Sequence, residues 1–323
     1  MRKLFVNEKT ANQKITRYLR KVLDDVPLST VYKLMREKDV KVNGKRVNKE
    51  YIVKNNDIVE VYLPEKKETD NIINKTGQHF DVVYEDENVL FVNKRIGITV
   101  QKDIKNEISL TEEVIYYLYN KGEYDPIIDK GFTPAPAHRL DRNTCGIVMF
   151  GKKNESLKIL TELLRKREGI VKKYRALVFN RVLEPGVIDL SLVKNEKDNI
   201  VKVAHKDDRR AKSALTSYTI IEHYGNMTLL DITLHSGRTH QIRAHMAAIG
   251  YPLVGDNKYG DFSLNKEFAS KYKFKNQFLQ SYEIRFKEVS GLLSYLSKKS
   301  FRVKIDEEHQ KVLRKIRQDF KHY

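Results

Sequence analysis

The stretch SYTIIEHYGNMTLLDITL, residues 217–234, contains two runs of the kind found in β-strands. Both runs, Ser217–Tyr224 and Met227–Leu234, are rich in β-branched, aromatic and leucine residues, which pack well on a pleated surface. A helical segment, Thr239–Gly250, follows almost at once and stops at a glycine with Pro252 beyond it. Strands and helices that do not alternate regularly favour an α+β fold over a doubly wound parallel sheet.

The same mixture of elements extends upstream to Phe80. The spacing of apolar residues predicts strands within Phe80–Lys94 and Lys172–Asn180, a helix at about Leu110–Tyr119 and an amphipathic helix at Asn154–Lys166. We therefore predict a larger domain, residues 80–323, in which helices flank a mixed, mainly antiparallel β-sheet. Its amphipathic C-terminal helix should pack on the rest of that domain.

Residues 1–63 predict a smaller domain built from a helix, a second helix and a β-hairpin. Apolar residues recur at helical spacing between Ile15 and Leu23, and Ser29 is the expected N-cap of the second helix. The pair Asn43-Gly44 fits a two-residue hairpin turn. The polar stretch 64–79 lacks hydrophobic periodicity and is predicted to be a linker.

The composition is strongly basic, because 61 Lys and Arg residues against 43 Asp and Glu residues give a formal net charge of +18. Such a charge suits a polyanionic partner, so nucleic acid is expected. An anionic membrane surface is the alternative, but no basic amphipathic helix with a bulky apolar face supports it. No apolar run approaches the ~20 residues that span a bilayer, and the N-terminus lacks the apolar core of a signal peptide. We expect a cytoplasmic protein with no membrane partner.

Two polar stretches bounded by glycine concentrate the residues that could carry chemistry. The first, HRLDRNTCG (His138–Gly146), plants Asp141 beside arginines, which by itself would fit a surface ion pair. The second is LHSGRTHQIRAHMAAIGYPLVGDNKYG (Leu234–Gly260). Glycine lets the backbone approach a ligand closely, and guanidinium groups bind phosphates and carboxylates in bidentate fashion. The polar residues concentrated in the second stretch are Arg238, His240, Gln241, Arg243 and His245.

Metal chemistry is not expected. The one cysteine, Cys145, excludes an internal disulfide and a multi-cysteine zinc site, and is interpreted as a small residue in a tight loop. His235, His240 and His245 are five residues apart, which matches neither an i, i+4 pair nor a known ligand signature. We predict that these histidines form hydrogen bonds to loop backbone or to RNA.

Taken together, the motifs resemble those of the RluA/RluC/RluD-type ribosomal RNA pseudouridine synthases. The segment Lys14–Leu63 resembles the RNA-binding domain of the small-subunit ribosomal protein type, which often precedes the catalytic domain in this family. Two positions depart from the family pattern, since Cys145 stands where serine is usual and Arg95 where proline is common. The likeness rests on HRLDRNTCG, on KKYRALV (residues 172–178), on residues 236–260 and on VVYEDENVLFVNK (residues 82–94), in the family's order.

The resemblance implies a cofactor-free isomerisation of uridine to pseudouridine. Asp141 corresponds to the family's nucleophile, which attacks either the sugar or the base, and Arg243 to the arginine that keeps it ionised. Tyr174 would stack on the flipped uracil, and Arg139 would enter the vacated stack. Further RNA contacts are expected from His138, Arg238, His240 and Gln241 and, in the first domain, from Lys33, Arg36 and Lys45.

The substrate implied by the resemblance is large-subunit ribosomal RNA, free or in an assembling particle, and the protein is expected to act as a monomer. Two alternatives stay open. One is a pseudouridine synthase of the same family that acts on transfer RNA, because the catalytic motifs do not encode the choice of RNA. The other is a non-catalytic RNA-binding assembly factor, which the presence of Asp141 disfavours.

Overall fold

A computed structural model of the 323-residue chain describes residues 1–8, 10–23, 26, 28–63, 76–102, 107–126, 129, 132–166, 169–195, 200–204 and 208–320. The chain divides into two compact units, residues 1–72 and 73–323. Most of the predicted linker, residues 64–75, lies outside the described residues. No helix in the described ranges is long and apolar enough to cross a membrane.

The first unit has the predicted order of two helices followed by a hairpin. The hairpin of β3 and β4 turns at Asn43 and Gly44, which both have positive φ, as a two-residue turn of this kind requires. Ser29 lies inside the second helix, which begins at Leu28, so the predicted cap was wrong by a residue or two, the usual uncertainty of helix ends. The elements are β1 (Arg2–Phe5), β2 (Gln13–Lys14), α1 (Ile15–Val22), α2 (Leu28–Arg36), β3 (Val40–Val42), β4 (Lys45–Arg46), β5 (Ile52–Val53) and β6 (Ile58–Val61).

Hydrophobic side chains from both helices of the first unit pack on its sheet, in which the strand order is β1-β6-β3-β4. Ile15 and Leu19 of α1 and Val31 of α2 are fully buried against Val40 and Val59 of the strands. The predicted apolar spacing of the helices is confirmed for the residues that form this core. Val22, which the same spacing placed on the apolar face of the first helix, is exposed.

The second unit begins with strands and ends with a helix. The strands are β7 (Phe80–Glu85), β8 (Val89–Lys94), β9 (Ala135–Pro136), β10 (Cys145–Gly151), β11 (Ile170–Phe179), β12 (Gly186–Asp189), β13 (Leu192–Asn195), β14 (Ile200–Val203), β15 (Leu215–Tyr224), β16 (Met227–Leu234), β17 (Leu279–Phe286) and β18 (Ser300–Arg302). The helices are α3 (Leu110–Asn120), α4 (Asn154–Lys166), α5 (Gln241–Ala248), α6 (Phe262–Tyr272) and α7 (Glu307–Asp319), with a 3-10 helix at Gly291–Leu296.

The main sheet of the second unit runs in the order β12-β15-β16-β11-β17-β10-β8-β7, with β18 beside β17 and β9 beside β10. Its strand pairs are antiparallel except for β10 with β17, which run parallel. The predicted mixed, mainly antiparallel sheet is therefore confirmed. The C-terminal helix packs as predicted, because Val312, Leu313 and Ile316 of α7 are buried in a cluster with residues of α6, β11 and β16.

The central strands are apolar on both faces, as expected for a sheet covered by helices on two sides. On β10, Ile147 and Met149 pack with Leu160 of α4, whereas Val148 and Phe150 pack in the cluster that contains Tyr174. The two faces are thus distinct where the sheet carries the residues of the candidate site.

A glycine at the start of β10 allows the parallel pairing that positions the Asp141 loop. Gly146 has φ +111°, and a Cβ built there would lie 2.0 Å from the backbone oxygen of Ser281. Only glycine fits at this close approach. Cys145 lies at the first position of β10 and is buried, so its predicted place in a tight loop was wrong, since the loop ends one residue earlier.

Candidate active site

Asp141 lies in the loop between β9 and β10, close to α5. Its Oδ2 accepts a hydrogen bond of 2.7 Å from Nη1 of Arg243, and its side chain keeps 28% of its surface exposed. Leu140, the preceding residue, is buried in the same cluster as Tyr174 and anchors the loop on the sheet. The sequence-predicted pair of Asp141 and Arg243 is therefore brought together, with the carboxylate still accessible.

Arg243 is held by a second carboxylate that sequence analysis missed. Nε and Nη2 of Arg243 donate to the two carboxylate oxygens of Asp256 at 2.7 and 2.8 Å, and Asp256 has no exposed surface. Asp256 Oδ1 also accepts from the backbone N–H groups of Lys258 and Tyr259. The guanidinium is thus fixed by a bidentate pair with Asp256 and directs Nη1 at Asp141.

The charges of this triad stabilise one another. Burial by itself lowers the pKa of the Arg243 guanidinium, but the carboxylates of Asp256 and Asp141 outweigh it and raise that pKa above its ordinary value. Burial by itself raises the pKa of the Asp256 carboxyl, but the Arg243 guanidinium holds it below its ordinary value. Arg243 and Asp256 are accordingly both charged at neutral pH. The sequence feature that could have identified Asp256 as a site residue is its position between two glycines, Gly255 and Gly260.

Tyr174 lies on β11 and is 5% exposed. Burial raises the pKa of the Tyr174 hydroxyl above its usual range, and the nearby charge of Asp141 adds to the rise. The side chain is therefore an uncharged phenol at neutral pH and a hydrogen-bond donor. Its position near the Asp141 carboxylate agrees with the predicted grouping of these two residues.

A buried lysine that sequence analysis did not assign supports the Asp141 loop. Nζ of Lys94, which has no exposed surface, donates to the backbone oxygens of Arg95, Ile98 and Arg142 at 2.9, 2.7 and 3.0 Å. Burial lowers the pKa of Lys94 to about 7. These three bonds tie the loop after β8 to the residue that follows Asp141. The only indication of this role in the sequence was a lysine at the end of an apolar strand.

His138 and Arg139, neighbours in the Asp141 loop, differ in exposure. The His138 ring is recessed, its Nε2 accepts from the backbone N–H of Met149 at 3.3 Å, and burial lowers its pKa to about 3. His138 is therefore neutral and braces the loop against β10. The Arg139 side chain is exposed, as entry into an RNA stack would require.

The turn before α5 is held by the amide of Gln241. Its Oε1 accepts from Ser236 Oγ and from the backbone N–H of Arg238, and its Nε2 donates to the backbone oxygen of Leu215 and to Thr216 Oγ1. Gln241 is 2% exposed, so in this structure its amide shapes the loop and presents no free group to RNA. Arg238 is partly exposed, with Nε 3.2 Å from the Ser213 backbone oxygen.

The three histidines considered as metal ligands have separate partners. Nδ1 of His240 is 2.8 Å from Tyr259 Oη, whereas Nε2 of His240 lies 3.8 Å from Asp141 Oδ2. His245 bonds Thr216 Oγ1 and the Leu190 backbone oxygen, and His235 bonds Ser217 Oγ. A different trio, Cys145, Asp306 and His309, brings candidate ligand atoms within 4.8 Å of one another where α7 packs on β10. Burial raises the pKa of the Cys145 thiol.

The predicted RNA-binding residues of the first unit are all exposed. Lys33 and Arg36 lie on α2 and Lys45 on β4, and Nζ of Lys33 is 3.9 Å from Glu37 one helical turn away. Such exposed pairs are weak and leave the ammonium available to a phosphate.

A cavity of about 830 Å³ lies apart from these residues. It is lined by acidic and basic side chains that pair with each other, such as Lys152 with Glu85 at 3.1 Å and Lys121 with Glu85 at 3.0 Å. None of Asp141, Tyr174 and Arg243 lines it. Volume alone therefore does not identify the site.

Comparison with known proteins agrees with this geometry. A family model described as RNA pseudouridylate synthase matches residues 88–248. An uncharacterized RNA pseudouridine synthase of Mycoplasma capricolum is 32% identical over 93% of this chain and 96% of that protein. The ribosomal large subunit pseudouridine synthase C of Vibrio parahaemolyticus is 30% identical over 88% of each chain. A solved structure, human RNA pseudouridylate synthase domain containing 4, shares the fold at a TM-score of 0.59 and 20% identity over 73% of this chain and 92% of that chain.

Proposed function

Because this chain belongs to the RNA pseudouridylate synthase family, we propose that it converts uridine to pseudouridine in large-subunit ribosomal RNA with Asp141 as the nucleophile. The observation that carries the proposal is the 2.7 Å pair of Asp141 and Arg243, with Arg243 fixed by the fully buried Asp256. This arrangement holds one accessible carboxylate in a fixed orientation beside a guanidinium charge, which suits a nucleophile.

The reaction is an isomerisation without net redox change or hydrolysis. The N1–C1′ bond of uridine breaks, the uracil turns and a C5–C1′ bond forms. The proton on C5 leaves and N1 takes up a proton, so the composition is unchanged. Asp141 supplies the electron pair that attacks the nucleotide, and the bond that it forms breaks again before the product leaves. Arg243, 2.7 Å away, fixes the position of the carboxylate. Every atom of the uracil except the exchanged proton is retained, so the chemistry itself calls for no cofactor.

Access to the glycosidic carbon requires the uridine to leave its stack. Arg139 is exposed on the Asp141 loop and is suited to fill the gap in the RNA, while Tyr174 would stack on the flipped base. The raised pKa of the Tyr174 hydroxyl favours stacking and hydrogen-bond donation over a role as general base.

The proposed RNA rests on the relatives and on charge. The relative from Vibrio parahaemolyticus is named for the large ribosomal subunit, and the formal charge of +18 suits a large folded RNA. We assign RNA anchoring to the predicted domain of residues 1–63, which lies within the first unit, through Lys33, Arg36 and Lys45. The protein would act as a cytoplasmic monomer on free ribosomal RNA or on an assembling particle.

Two measurements test the proposal. Pseudouridines mapped across total RNA of cells with and without the gene should differ at large-subunit positions. Purified protein should then modify an RNA fragment that carries a mapped uridine. Asp141→Asn should reduce turnover to background while fragment binding is kept, since the substitution removes the nucleophile and conserves shape. Asp261→Asn, at the exposed N-cap of α6, is the matched control, because asparagine and aspartate cap helices about equally well.

The outcomes separate the alternatives. Differences confined to transfer RNA would keep the chemistry and overturn the ribosomal substrate. Unchanged RNA together with inactive purified protein would favour a non-catalytic assembly factor. Substantial turnover by Asp141→Asn would overturn the assignment of the nucleophile.

A further inference from the structure

Lys172 is a basic residue that neither the fold nor the proposed mechanism uses. It precedes Tyr174 by two positions on β11, so the alternation of strand side chains places both on the same side of the strand. Across the ladder to β16, Lys172 lies opposite Leu234 and Tyr174 opposite Ile232, and both of these partners belong to the cluster that contains Tyr174. Lys172 thus lies beside the proposed base-stacking residue.

The Lys172 ammonium lies beside the loop that carries Arg238 and acts on the loop that carries Arg139. Its Nζ is 3.2 Å from the position that a Cβ of residue 237 would occupy, and Gly237 precedes Arg238. The charge of Lys172 also contributes, after burial, to the lowered pKa of His138, which precedes Arg139. The absent side chain of Gly237 leaves the amine open from that direction.

Within the described parts of the chain, no hydrogen bond or ion pair engages the Lys172 ammonium. Protein surrounds the side chain on most sides while part of its surface stays in contact with solvent, and burial lowers its pKa to about 8. By contrast, the adjacent Lys173 pairs with Asp231 at 2.6 Å. A recessed charge without a partner is unfavourable for stability, and such groups concentrate at functional sites.

We propose that Lys172 binds a phosphate oxygen of the RNA backbone directly beside the flipped uridine. This inference rests on the proposed function. Phosphate is the anion that an RNA substrate brings, and a flipped nucleotide carries one on each side of its ribose. A lysine recognises phosphate as a point charge and does not need a bidentate geometry. The ammonium would gain its missing partner only when the nucleotide is in place, which couples phosphate binding to positioning of the uracil on Tyr174.

The first test compares Lys172→Gln and Lys172→Arg with wild-type protein on the RNA fragment that carries the mapped uridine. Lys158→Gln is the matched control, because Lys158 is exposed on α4, which packs on the opposite face of β10 from the Tyr174 cluster. Lys172→Gln should weaken RNA affinity by about tenfold and make the slope of log affinity against log salt shallower by roughly 0.7–0.9. Lys172→Arg should restore the slope, and Lys158→Gln should leave both quantities unchanged.

The second test changes the RNA and leaves the wild-type protein intact. A neutral methylphosphonate is placed in turn at each of the two linkages that flank the mapped uridine. Wild-type protein should lose about tenfold in affinity at one linkage, and Lys172→Gln should lose nothing further there, as expected for two members of one contact. Equal losses in both proteins at both linkages, or an unchanged salt slope for Lys172→Gln, would overturn the assignment and favour a contact to a neutral uracil oxygen. A wild-type protein that modifies no RNA would instead contradict the proposed function, so the two failures are distinguishable.

Discussion

Replacing Asp256 by asparagine tests whether the buried carboxylate positions the catalytic pair. Asp256→Asn keeps the shape and one oxygen, which can still accept from the Lys258 and Tyr259 backbone. Its new NH₂ group, however, would face Nε of Arg243, so that two donors meet where a donor and an acceptor now lie 2.7 Å apart. The guanidinium would lose the bidentate pair that fixes its orientation.

The expected loss of stability follows from these contacts. The hydrogen bond from Arg243 Nε to Oδ2, at 2.7 Å, is broken, and the bond from Nη2 to Oδ1, at 2.8 Å, loses the negative charge of its acceptor. A hydrogen bond to a charged group contributes about 1.5–3 kcal/mol. Removing one partner of a buried ion pair costs about 3–5 kcal/mol of unfolding free energy. The full range applies here, because Asp256 has no exposed surface and water does not screen its charge. Because Asp141 continues to pair with Arg243, we expect the lower end, about 3 kcal/mol of unfolding free energy.

Urea unfolding at several pH values provides the assay. The pKa of Asp256 is lowered in the folded protein, so its contribution is complete above the unfolded value of about 3.9 and is lost as the pH falls through the folded value. The difference between wild type and Asp256→Asn should therefore be constant from about pH 8 to 5 and shrink below about pH 4. Turnover should fall about 100-fold with little change in KM, because a misplaced Arg243 misorients Asp141.

Asp261→Asn, five residues away and exposed, should match wild type in both measurements. Wild-type stability and turnover in Asp256→Asn would refute the positioning role. A higher KM with unchanged turnover would show instead that Asp256 acts on RNA binding.

Further outcomes are expected from backbone, module and metal perturbations. Gly146→Ala should lose more than about 2 kcal/mol of unfolding free energy in a urea titration, since its Cβ would lie 2.0 Å from the Ser281 backbone oxygen. Gly97→Ala should lose less in the same titration, because Gly97 also has a positive φ, +88°, but no atom lies within 4 Å of its Cβ position. Deleting residues 1–79 should leave turnover on a short RNA intact and make the slope of log affinity against log salt shallower for a structured RNA. If that slope is unchanged and the melting temperature is lower, the first unit only stabilises the second. A chelator should leave activity unchanged, because His235, His240 and His245 each have separate hydrogen-bond partners. Inhibition by the chelator that added zinc reverses would indicate a metal site at Cys145, Asp306 and His309.

Local patterns in the sequence determined the elements and the first members of the site. The predicted helix Asn154–Lys166 and strand Met227–Leu234 match the observed α4 and β16 at both ends, because apolar side chains at a period of 3.6 or 2 fit only one secondary structure. Asp141 and Arg243 were identified from their motifs, and the structure places them 2.7 Å apart although 102 residues separate them.

Tertiary structure alone decided how the remaining polar residues are used. Asp256 forms a bidentate ion pair with Arg243, and the Gln241 amide forms hydrogen bonds to Thr216 and other protein groups. Lys94 donates a hydrogen bond to the backbone of the Asp141 loop. Each of these roles depends on groups that the fold brings together, as the parallel pairing of β10 with β17 brings together residues about 135 positions apart in the chain. Hydrophobic periodicity tells which side of an element is buried, but it carries no information about which distant donor or acceptor will face that side, since that depends on the order in which the strands pack.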